Sequence, residues 1–98
     1  MIFCVEDDNN IRDLLVYTLE TTGFHARGLE NSQELWKALA ADELELILLD
    51  IMLHGDDGYS IMEKLKQSSG TRDIPIIMVT VMEAESDKVR VMERGADD

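Results

Sequence analysis

Leu46-Ile47-Leu48-Leu49-Asp50 sets four consecutive apolar residues directly before one carboxylate. A run this short, unbroken and without alternation reads as a strand buried on both faces, the habit of a parallel sheet covered by helices. Asp50 then stands where the strand leaves the core. In open α/β sheets ligands bind there, outside the carboxyl ends of the strands. Taken by itself, Asp50 is more simply a solvated loop residue or the cap of the next helix. The rest of the chain decides between these readings.

Working outward, Met1 to Val5 reads as a second buried strand, ending at Glu6-Asp7-Asp8. Ile11, Leu14, Leu15, Thr18 and Leu19 then share one helical face. Asp8 or Asn9 caps that helix and Gly23 ends it. Phe24 to Leu29 carries His25, Arg27 and Gly28, and reads as a less buried outer strand. Asn31 and Glu34 form a capping pair for a short helix with Leu35, Trp36 and Leu39, ending near Ala41. Beyond Asp50, a loop with Gly55 and Gly58 leads to a helix carrying Ile61, Met62 and Leu65, closed by Ser68, Ser69 and Gly70. Ile74 to Thr80 is a fourth apolar strand, with Pro75 tolerable at its start. A polar loop and a last helix with Val89 and Met92, stopped by Gly95, complete the pattern.

Strands alternating with helices imply an α/β fold, a doubly wound parallel sheet with right-handed crossovers and helices on both sides. The two strongly apolar strands, 1–5 and 46–50, belong at the centre and the polar one at an edge. Strand order 2-1-3-4 satisfies this and puts a switch point between the first and third strands.

The 98 residues make one domain, 1–98, able to bury a single modest core. The net charge of −12 argues against direct binding of nucleic acid or of an anionic membrane by this domain. No apolar stretch reaches membrane-spanning length, and the start lacks the basic leader of a signal peptide. The single cysteine, Cys4, lies inside an apolar run and reads as a buried small hydrophobe, which fits a reducing cytoplasm.

The topology gathers Glu6, Asp7, Asp50 and Thr80 at one sheet edge, on neighbouring strands. Carboxylates crowded together repel, and a cation relieves the repulsion. Hard oxygen ligands suit Mg²⁺, which keeps several waters. His25 and His54 are far apart in sequence and read as surface residues, so no softer metal is called for.

The stretches VEDD at 5–8, LLDIMLHGDDG at 48–58, IPIIMVT at 74–80 and RGADD at 94–98 together resemble the receiver domain of bacterial two-component response regulators. They span the whole chain in the right order and spacing. The loop TVMEAESDKV looks most like receivers of the OmpR/PhoB type, which usually precede a winged-helix DNA-binding domain. The resemblance implies a phosphoacceptor signalling domain rather than a classical enzyme. Asp50 would take the phosphoryl group from the phosphohistidine of a sensor histidine kinase. Glu6 and Asp7 would hold Mg²⁺ with Asp50 and the backbone carbonyl of Met52. The Thr80 hydroxyl would meet the phosphate and bias a two-state surface. Gly58 fits a turn after the acceptor, and Asp8 is a helix cap rather than a ligand.

Three departures from the family pattern bear on activity. His54 stands where proline is usual, and Val81 where a small residue is usual. The sequence ends at Asp98, where the family would begin a fifth strand that carries a switch aromatic and a phosphate-pairing lysine. The expectation is a cut or truncated receiver whose fourth strand is an exposed edge, open to self-association. Two other functions stay in play. One is a phosphorylation-impaired interaction module. The other is a Mg²⁺-dependent phosphatase, although that would want a second aspartate at position 52, where Met52 stands. A flavin or nucleotide site is weaker still, since EDDNN follows the first strand instead of a glycine-rich loop.

Overall fold

The computed structural model describes residues 1–40, 44–53, 56–82 and 88–92; side chains are described through Val79, Asp56 excepted. Four parallel strands form its centre: β1 (Ile2–Val5), β2 (Ala26–Leu29), β3 (Leu46–Asp50) and β6 (Ile76–Met82). Three helices are described, α1 (Asn9–Thr21), α2 (Ser32–Leu39) and α3 (Gly58–Gln67). Between β3 and α3 lies a two-residue ladder, β4 (Met52–Leu53) against β5 (Asp56–Asp57), antiparallel. A last strand, β7 (Lys88–Met92), completes the large sheet in the order β2-β1-β3-β6-β7. The expected order of the four parallel strands is therefore the observed one.

The sheet alternates its side chains between two layers. Phe3, Val5, Ile47, Leu49, Ile76 and Met78 join Leu35 and Ala38 of α2 and Ile61, Met62 and Leu65 of α3 in one buried cluster. Ile2 and Cys4, from the alternate positions of β1, are buried outside that cluster. The helix boundaries have local causes. Asp8 accepts the Ile11 N–H at 3.0 Å and caps α1. Gly23, at φ 106°, closes the helix in a Schellman turn, with Gly23 N–H on Glu20 O and Phe24 N–H on Leu19 O. Asn31 accepts the Glu34 N–H at 3.0 Å, while the Glu34 carboxylate reaches back to the Glu30 N–H at 2.8 Å. Asn31 and Glu34 thus act together at the start of α2, as their spacing suggests.

Several expectations are corrected. Leu14 is not on the covered face of α1: it is exposed, as are Tyr17 and Phe24, and α1 contains no fully buried residue. Ile11, Leu15, Val16 and Leu19 are half-buried instead. The outer strand begins at Ala26, not Phe24. The last helix is replaced by a strand. Lys88–Met92 pairs antiparallel with β6, Thr80 opposite Arg90 and Val81 opposite Val89. Val89 and Met92 satisfy a helical spacing with only two residues. The run Lys-Val-Arg-Val-Met alternates with period two as well, and the unpaired edge of β6 offers it a ladder of backbone partners. Five residues separate the two strands, too few for a parallel crossover, so the pairing is antiparallel. The fourth parallel strand is therefore not an exposed edge: β3 and β7 flank β6 on both sides. His54, Gly55, Gly95 and the RGADD stretch lie outside the described residues.

Candidate functional site

Strand register builds the site. Val5 pairs with Leu49, so the residues that follow, Glu6 and Asp50, leave the sheet side by side. Asp50 pairs on its other side with Val79, and the ladder runs one residue further, Ile51 N–H donating to Val79 O at 3.1 Å. Thr80 comes next on the backbone, at the same carboxyl end of the sheet; its side chain lies outside the described residues.

Three carboxylates converge there. One oxygen each from Glu6, Asp7 and Asp50 lies within 4.8 Å of the other two. Two of these groups are deep: Glu6 is 3% exposed and Asp50 7%. Each receives a backbone donor, the Asp8 N–H on Glu6 Oε2 at 3.0 Å and the Met52 N–H on Asp50 Oδ1 at 3.1 Å. Those two bonds do not offset burial. Desolvation pushes the Glu6 carboxyl up to about 8, with the neighbouring Asp50 charge adding to it. Asp50 is also raised, again mainly by burial, while its hydrogen bond with Glu6 opposes the rise. Without a cation, burial and the neighbouring charge therefore favour the protonated form of Glu6, hydrogen-bonded with Asp50. Three hard oxygens short of positive charge are a fitting donor set for a small divalent cation.

Gly58 lies against the Asp50 backbone. A Cβ at this first residue of α3 would stand 2.4 Å from Asp50 O and 2.8 Å from Ile51 Cα. The glycine is required here because two backbone segments touch; the Gly58 N–H also donates to Ile51 O at 2.9 Å. Asp57 caps α3 by accepting the Tyr59 N–H at 3.0 Å. Met52, expected to offer its carbonyl, has a highly exposed side chain and contributes its N–H to Asp50 as above.

Residues 2–98 match the response regulator receiver domain family. This chain belongs to that family. The receiver is 41% identical over 97 residues to the phosphate regulon transcriptional regulatory protein PhoB of Escherichia coli (strain K12), a match covering 99% of the chain but 42% of the relative. It thus spans less than half the length of that relative. Among solved structures, the N-terminal domain of a response regulator receiver protein from Methanoculleus marisnigri JR1 superposes with a TM-score of 0.78 at 37% identity, covering 83% of this chain and 66% of that one. The response regulator TrrA of Thermotoga maritima, solved in complex with Mg(2+)-BeF, has a TM-score of 0.74 at 28% identity, covering 87% and 72%. No helix among the receiver's described residues is long and apolar enough to cross a membrane.

The structure brings Glu6, Asp7 and Asp50 into one cluster and sets the Thr80 backbone beside it. Two contributors escaped the sequence reading. Arg12 appears in the sequence only as a polar position between apolar ones, yet its Nη1 donates to Glu6 O at 2.8 Å. Gly28 looks like a weak point in an outer strand, yet its missing side chain makes room for the Arg12 stem. The only signal for either was an unexplained cation one turn into α1 and an unexplained glycine in a strand.

Proposed function

We propose that this receiver accepts a phosphoryl group on Asp50, taken from the phosphohistidine of a sensor histidine kinase, with Mg²⁺ bound by Glu6, Asp7 and Asp50 and by the Met52 carbonyl. The observation that carries this reading is the convergence of the three carboxylates at the carboxyl end of β1 and β3. Mg²⁺ bound there would neutralise charge between the carboxylates and the incoming phosphoryl oxygens. The nitrogen–phosphorus bond of the phosphohistidine breaks as an Asp50 oxygen forms the new bond to phosphorus, and the imidazole leaves with its electron pair. Bound Mg²⁺ would favour the ionised forms of Glu6 and Asp50, whose burial otherwise favours the protonated form, and would leave Asp50 a carboxylate able to attack. The Met52 N–H keeps Asp50 oriented, and Gly58, without a Cβ, lets the Asp50 carbonyl lie against the start of α3. Thr80, in β6, supplies a hydroxyl to the phosphate and biases a two-state surface. The complex of TrrA with Mg(2+)-BeF supports the reading by showing a protein of this fold with such a pair of ligands.

On this reading the chain is a phosphoacceptor module that works in the cytoplasm, not an enzyme with a diffusing substrate. The likeness to PhoB supports a role in transcription regulation for a longer parent protein. The test is incubation of the chain with a small phosphodonor and Mg²⁺, followed by intact mass. One added phosphoryl group, absent in Asp50→Ala and absent without Mg²⁺, is expected. No adduct would leave an interaction module, and donor turnover without an adduct would indicate a phosphatase.

A further inference from the structure

Arg12 closes the first turn of α1, and its own N–H donates to Asp8 O at 2.9 Å. Its side chain runs back beneath the loop that carries the acids. Nη1 donates to Glu6 O at 2.8 Å, and Nη2 donates to Asn9 Oδ1. The guanidinium therefore ties the end of β1 to the start of α1 through main-chain and amide oxygens. On the other side of the same residue, the Glu6 N–H donates to Leu29 O of β2 at 2.9 Å. Its N–H and its carbonyl are both held, which fixes the Glu6 backbone, while the Asp8 N–H on Oε2 and the hydrogen bond with Asp50 hold its side chain.

The path of Arg12 is set by β2. A Cβ at Gly28 would stand 2.8 Å from Arg12 Cγ and 2.9 Å from Cδ. Those atoms are the middle of the stem rather than its tip, so any side chain at 28 displaces the guanidinium. A groove lined by Arg12, Asp13, Val16, Tyr17, Glu20 and Gly28 marks this seam between α1 and β2.

We infer that Arg12 is a positioning residue for the acidic site, holding the Glu6 carbonyl so that the Glu6 and Asp7 carboxylates stay turned toward Asp50, in a seat that Gly28 leaves open. The inference rests on the proposed function in taking the acidic trio as a Mg²⁺ site. It opposes a simpler view, in which Arg12 is only a nearby positive charge. The two views differ in sign. A bystander cation repels Mg²⁺, so its removal tightens binding. A positioning residue orients the ligands, so its removal weakens binding; supporting groups around metal ligands typically change affinity about 10- to 100-fold.

The experiment is calorimetric titration of the metal-free chain with Mg²⁺, for wild type, Arg12→Lys, Arg12→Ala, Gly28→Ala and the Arg12→Ala/Gly28→Ala double variant. Arg12→Ala should weaken Mg²⁺ about tenfold. Arg12→Lys should weaken it as well, because an ammonium keeps the charge but not the fork that reaches two oxygens. Gly28→Ala should weaken binding several-fold in the wild-type background and not at all beside Arg12→Ala, where no stem remains to be displaced. Unchanged or tighter binding in Arg12→Ala overturns the inference, as does an equal effect of Gly28→Ala in both backgrounds. If wild type binds no Mg²⁺, the proposed function fails instead. The positioning claim is then decided by NMR of the metal-free chains: the Glu6 carboxyl and the Asp7 and Asp8 amide resonances should move in both single alanine variants. Resonances that stay in place overturn it.

Discussion

At the scale of single residues, the protonation of Glu6 makes stability depend on pH in a defined direction. The Glu6 carboxyl ionises near 4.5 when unfolded and near 8 in the fold. Between those values the native state binds more protons than the unfolded one, so stability falls as pH rises. The favourable contribution is fully present below pH 4.5 and gone above about 8, and Asp50, also raised, acts with the same sign. One such proton changes stability by at most about 1.4 kcal/mol per pH unit. Thermal unfolding of the metal-free chain should therefore begin several degrees lower at pH 7.5 than at pH 5.5. Glu6→Gln should flatten that dependence, because a neutral amide has nothing to lose. Mg²⁺ should raise the midpoint at pH 7.5 far more than at pH 5.5, since it competes with the proton for the same oxygens. A pH dependence identical in wild type and Glu6→Gln would remove Glu6 as its source. Burial of this carboxyl was not legible in the sequence, which set Asp8 apart as a helix cap but left Glu6 and Asp7 alike. The register that carries Val5 past Leu49 places the first of them in the core and leaves the second half-buried.

At the scale of elements, the parallel core was legible because each of its apolar strands is short and bounded by turn-forming or acidic residues. LILLD and the apolar run expected from Ile74 to Thr80 needed no tertiary information to be read as strands, although the second is observed two residues later, as Ile76–Met82. Asp8, Gly23 and Asn31 also revealed their helix ends directly, since their roles are local. Residues 88–92 were not legible for the opposite reason. Lys-Val-Arg-Val-Met fits a helix through Val89 and Met92 and a strand through Val89 and Val91. The choice falls to a partner outside the segment, the free side of β6. The hairpin is open to a direct check. Val81 and Val89 are paired across the ladder, where facing Cα atoms lie about 4.5–5.5 Å apart, within disulfide range. A Val81→Cys/Val89→Cys variant should close this bond under mild oxidation, seen as the loss of two hydrogens in the intact mass and as a peptide cross-link. If residue 89 instead faces away on a helix, the pair stays reduced. With β7 paired to it, β6 is not the exposed edge strand on which the expected self-association was based.

At the scale of the whole molecule, the two layers flanking the sheet are unequal. On one side α2 and α3 contribute Leu35, Ala38, Ile61, Met62 and Leu65 to the common core. On the other, α1 packs against β1 and β2 without one fully buried residue, and turns Leu14 and Tyr17 to solvent. Segments with few buried contacts are the first to open, at less than the free energy of global unfolding. Cys4 is inaccessible, alternates away from the α2–α3 core, and its thiol is pushed up to about 11 by burial, so it cannot react in place. The thin layer over it thus becomes a clock. A thiol reagent in native buffer should label Cys4 at the rate at which α1 lifts from the sheet. Leu35→Ala, which removes core packing worth about 2–5 kcal/mol, should leave that rate nearly unchanged while lowering the global melting point. Should Leu35→Ala accelerate labelling in proportion to the stability lost, the clock runs on whole-chain unfolding instead. Otherwise the one cysteine of this chain keeps time for the side of the sheet that breathes.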